Sequence, residues 1–135
     1  MAVNIYQLKK LYENLDRYIY IIVRTLIGLF FLIPGLVKVL SFSQYVEIVT
    51  LNEVPLPTIS LIVVILSQLF FGSSIIFGKF VKLGSLVLAT NVALFNLYIH
   101  DFWNVDEIIS QRHEAQNFIK NMAIIAGLLI LSKEK

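Results

Sequence analysis

The sequence predicts an all-α integral membrane protein: a four-helix bundle with both termini inside, an N-terminal interfacial helix and a short helix in the first outer loop. Three observations predict it. Of the 135 residues, 58% are hydrophobic and only 15% charged, which is too apolar for a soluble domain this small to hide from water. The chain contains long stretches almost free of charge, over about 18–40, 57–78, 82–103 and 115–132, and about 20 helical residues cross a bilayer core. The basic residues between these stretches alternate in number from one side to the other. The organisation that follows is an amphipathic segment at 1–17 and one transmembrane domain at 18–135.

Within residues 1–17, Ile5, Leu8, Leu11, Tyr12 and Leu15 recur at helical spacing opposite Gln7, Lys9, Lys10, Asn14 and Arg17. This pattern suits a helix in the inner headgroup layer, with lipid as its partner. No cleavable signal peptide is read here, because Glu13 and Asp16 precede an apolar run too long for an h-region.

In the first span, Arg24, Gly28, Phe31, Gly35 and Lys38 share one helical stripe. Small residues in that stripe permit close helix approach, so it should face the bundle. The loop after it holds Tyr45, Val46, Ile48, Val49 and Leu51, and Pro55 and Pro57 close it, which predicts a short helix over the outer mouth. The second span carries Gln68 near mid-membrane and a serine row, Ser60, Ser67 and Ser74, read as packing. Gln68 is expected at a depth that an extended Arg24 could approach.

Ser85, Ala89, Asn96, His100 and Trp103 form the stripe of the third span, with Asn91 pointing away from it. On the fourth, His113 or Glu114, Asn117 and Asn121 share a face. Antiparallel helices would place Asn121 and Asn96 at similar depth. His100, Asn96, Trp103, Asn117 and Asn121 are therefore the expected ligand-binding residues of an outer-leaflet cavity, with Arg24, Gln68 and Lys38 as intramembrane polar support. No catalytic residue is identified.

Orientation follows from charge. With both termini inside, Lys9, Lys10, Arg17, Lys79, Lys82, Lys133 and Lys135 fall inside, against Lys38, Arg112 and Lys120 outside. A multi-pass protein of the cytoplasmic (inner) membrane is the expectation. The absence of cysteine removes thiol redox chemistry and sulfur ligation, so neither a metal nor haem is expected. A net charge of +2 with no basic face argues against nucleic acid.

The chain resembles the DoxX family of small four-helix membrane proteins. The resemblance rests on Arg24-Thr-Leu-Ile-Gly28 followed by Phe31, Gly35 and Lys38, on Val54-Pro55-Leu56-Pro57, on His100-Asp101-Phe102-Trp103, and on Gln116-Asn117-Phe118-Ile119-Lys120-Asn121. It implies that Arg24, Lys38, His100, Lys120 and Asn121 stand at the family's polar positions, and that Gln68 stands where the family often has a glutamate. It further implies a redox-associated subunit, with quinone or another small apolar ligand as the candidate cofactor and a redox enzyme as a candidate partner; the sequence leaves the assembly open, a homodimer included. A non-catalytic scaffold or assembly factor is the alternative. Proton-coupled export is disfavoured, because none of the acidic residues falls well inside a span.

Overall fold

The computed structural model describes residues 4–133. Helix α1 (Ile5–Leu40) starts at Asn4, whose side chain accepts a hydrogen bond from the Tyr6 amide. Short α2 (Phe42–Leu51) follows after a single residue, then α3 (Pro57–Ile76), α4 (Val81–Tyr98), a 3-10 turn at Phe102–Asn104 and α5 (Ile108–Leu131). Proline at the start of α3 needs no amide donor there. Glu107 caps α5 by accepting hydrogen bonds from the Ile109 and Ser110 amides.

Three of these helices are long and apolar enough to cross a membrane: α1, α3, and α4 extended to Asn104. In α5, Arg112, His113, Glu114, Asn117 and Lys120 interrupt the apolar run, and the last stretch is greasy only from Met122 onward. Around the bundle, Leu26, Ile33, Leu36, Leu66, Phe70 and Leu97 are each at least half exposed. Apolar surface on this scale is stable against lipid and not against water.

Helix α1 crosses the expected limit between residues 1–17 and the first span without a break. Residues 1–3 of that segment lie outside the described residues, as do Glu134 and Lys135. From Ile5 onward the helix runs unbroken through Arg17 and Tyr18. Nothing in that stretch, neither proline nor glycine, stops helical hydrogen bonding. At about 1.5 Å per residue α1 is roughly 54 Å long, well beyond a hydrocarbon core of about 30 Å.

The packing order follows the chain: α1 lies against α3, α3 against α4, and α4 against α5, while α2 rests on α3. Glycine sets the tightest contact. A Cβ on Gly28 would meet the Gly72 carbonyl at 2.6 Å, and one on Gly72 would lie 3.1 Å from the Gly28 carbonyl. The predicted stripe of α1 therefore faces inward, with Gly28, Phe31, Gly35 and Lys38 all buried. One apolar core joins Phe31, Ile75, Leu88, Val92 and Leu128 across the long helices. A second, formed by Val49, Leu61 and Ile65, ties α2 onto α3 and closes the bundle's end.

Candidate functional site

Beneath α2 the long helices leave a cavity of about 250 Å³. Its walls are Phe30, Phe31 and Pro34 of α1, Tyr45, Ile48 and Val49 of α2, Leu61 of α3, and Val92, Phe95 and Ile99 in and just after α4. Four polar side chains enter this apolar shell: Lys38, Gln68, His100 and Asn121. They come from four separate parts of the chain.

Lys38 is placed by the buried stripe of α1, and only 7% of it is exposed. Its ammonium lies 3.5 Å from the Pro34 carbonyl, 5.2 Å from the Tyr45 ring and 5.9 Å from the Phe95 ring. These ring faces attract a cation, but none of the described carboxylates pairs with it. Gln68 is 5% exposed, and its Oε1 has no hydrogen-bond partner. A buried amide oxygen left alone loses its hydration without compensation, so Gln68 carries an unmet acceptor beside the cavity.

His100 sits where the chain leaves α4. Its Nδ1 lies 2.6 Å from Glu114 Oε2 on α5. With Nδ1 engaged by the carboxylate, the ring's other nitrogen, Nε2, is left for a second hydrogen bond. Glu114 is in turn held below the ordinary carboxylate value of 4.5: partial burial pushes it up, and hydrogen bonds from His100 and Asn117 outweigh that. Asn121 donates to Asn96 Oδ1 at 2.8 Å, and Asn96 donates onward to the Phe118 carbonyl at 3.1 Å. This chain of amides locks α5 to α4 with Asn121 at the cavity wall.

The structure brings some expected residues together and moves others away. Asn96 stands behind Asn121 as its anchor and does not line the cavity. Asn117 is turned toward His113, with its Nδ2 3.4 Å from that ring's Nδ1. Trp103 is 51% exposed and packs edge-on against Phe102 and Phe118; the 3-10 turn carries it off the stripe on which regular helical spacing put it. Lys38 and Gln68, expected as support, are in the cavity wall itself.

Arg24 does not approach Gln68. Its guanidinium stacks on Tyr20, 4.9 Å from the ring centre, and fills the space that a Cβ on Gly78 would need. Gly78 has φ +72°, a conformation glycine adopts freely, so the turn between α3 and α4 opens a seat for the arginine. The basic residue that shares a cavity with Gln68 is Lys38. Asn91, expected off the stripe of Asn96 and His100, is buried toward α3, where its Nδ2 donates to Ser67 Oγ at 2.5 Å. Ser67 thus has the packing role read for its row.

Sequence reasoning missed the cavity's aromatic wall and the role of Glu114. Phe30, Tyr45 and Phe95 carry no polar signal that separates a cavity wall from a lipid-facing ring. Glu114 was detectable in part, since its spacing from Asn117 and Asn121 puts it on their face.

Helices with a lipid-suited surface and a polar-lined cavity at one end define a multi-pass helical membrane protein with an internal ligand-sized space. The chain belongs to the DoxX family, whose family model matches residues 19–101, well over half its length. The matched part contains Lys38, Gln68 and His100, and ends before α5, so Asn121 and Glu114 lie outside it. No curated protein and no solved structure matches the chain.

Proposed function

We propose that this protein binds a quinone, in the cavity beneath α2, as a redox-associated subunit of the inner membrane. In this reading it crosses the membrane four times with both termini in the cytoplasm, and the cavity lies in the outer half of the bundle. The observation that carries the proposal is that one apolar cavity is walled by a buried lysine that none of the described carboxylates pairs and by a glutamine whose Oε1 has no donor. A quinone carbonyl accepts from the ammonium, and the hydroxyl of the reduced ring donates to the Gln68 oxygen or to His100 Nε2. Phe30, Phe31 and Phe95 are at hand to pack on the ring. A volume near 250 Å³ suits one substituted ring.

The amides of Asn96, Asn121 and Asn91 favour a second reading, because each bonds another helix or its backbone. A scaffold or assembly factor for a partner enzyme needs no more than this. One binding experiment separates the two readings. Detergent-purified protein is titrated with 2,3-dimethoxy-5-methyl-1,4-benzoquinone, a ring without a tail, and compared with Lys38→Met. Saturable binding that weakens by about tenfold or more in the variant is expected, the loss of one charge-assisted hydrogen bond. No saturable binding to the unaltered protein leaves the scaffold.

A further inference from the structure

A second cavity, also of about 250 Å³, adjoins the first. The two share Val49, Leu61, Phe95 and Ile99, so one apolar partition separates them. Their chemistry differs. In the second, Ser60 Oγ donates to the Pro55 carbonyl at 2.6 Å and Asn91 Nδ2 donates to Ser67 at 2.5 Å. The remaining lining is aliphatic or aromatic. One chamber therefore presents a lysine, a glutamine, a histidine and an asparagine, while its neighbour is walled mostly by hydrocarbon.

We infer that the ligand is an amphiphile whose apolar chain occupies this second chamber while its head lies against Lys38 and Gln68. The inference rests on the head-site reading above and adds the chain and its path. Leu94 and Tyr98 of α4 are 49% and 38% exposed and belong to the chamber's lining. Its open side accordingly meets lipid along α4, and a chain longer than the chamber continues into the bilayer there. The buried Val49 and Leu61 side chains hold one side of the partition rigid. Phe95, only partly buried, is the divider that the chain passes.

The test compares the tail-less benzoquinone with its decyl-chain homologue, on the unaltered protein, on Val64→Phe, which fills the chamber, and on Val63→Phe. Val63 is 57% exposed and lines neither cavity. The decyl compound should bind more tightly than the bare ring to the unaltered protein. In Val64→Phe that advantage should shrink by about tenfold or more, since each methylene kept from its site forfeits about fourfold. Affinity for the bare ring should not change, which also reports that the variant is folded; Leu94→Phe serves if it is not. Val63→Phe should behave as the unaltered protein. An equal chain advantage in Val64→Phe overturns the chamber while leaving the head site standing. Absence of any chain advantage in the unaltered protein, the result if a bilayer acyl chain holds the chamber, overturns it too. Failure of the bare ring to bind the unaltered protein overturns the head site, and the amphiphile with it.

Discussion

Gln68 and Lys38 show how one atom's difference sets the character of the site. A carboxylate at position 68 would stand at the wall of the same cavity as the ammonium and pair with it. The amide leaves the ammonium without a carboxylate partner among the described residues. Gln68→Glu is therefore expected to weaken quinone binding by about tenfold, because the ammonium turns to the new anion, and titration against the bare ring checks it. Glu114 gives a prediction in pH. Its folded value is depressed, so its contribution is fully present above the ordinary value near 4.5 and is lost as pH falls through the lowered one. Glu114→Gln should melt lower than the unaltered protein at neutral pH, and the gap should close as pH falls from the ordinary value near 4.5 through the lowered one. A gap that stays constant down to pH 3 would show that the His100 contact does not set the difference. Trp103→Ala, by contrast, should leave ring affinity unchanged, since the indole lies outside the cavity.

Among the elements, the crossing of α1 and α3 determines where the cavity can form. The helices touch at Gly28 and Gly72, and α1 then carries Pro34 and Lys38 past Gln68 on α3. Forcing them apart should open the bundle. Gly28→Val is expected to destabilise by about 1 to 3 kcal/mol, because its side chain meets backbone that cannot yield. Gly127→Ala is the matched control: its Cβ would find only Ile27 Cδ1, at 4.0 Å. Alanine should be neutral or slightly stabilising there, by up to about 1 kcal/mol. Thermal unfolding in one detergent compares the pair. The short α2 matters differently, since Tyr45, Ile48 and Val49 roof the cavity and any ligand enters past them or from the lipid side.

At the scale of the whole molecule, the prediction concerns which surface faces which compartment. The chain has no cysteine, so single cysteines report their side without interference. Lys82→Cys and Lys133→Cys should react with a membrane-impermeant maleimide only from the cytoplasmic side, and Glu53→Cys and Asp106→Cys only from the other. Labelling of Lys133→Cys from the outer side would remove α5 as a span.

Composition and spacing were enough to reveal a helical membrane protein, the buried stripe of α1, the short helix after it and the nearness of Asn96 to Asn121. These are periodic properties, and a helix repeats regularly enough to carry a residue's face over several turns. Where regularity stops, the reading failed: Trp103 lies in a 3-10 turn, and Arg24 found its seat at a positive-φ glycine in a loop. Residue type pointed to Lys38, Gln68, His100 and Asn121 as polar groups inside a membrane protein, but their meeting in one cavity depends on helix crossing, set by contacts between distant glycines. A local pattern decides what each helix presents; only the packing of helices against one another decides what those faces enclose.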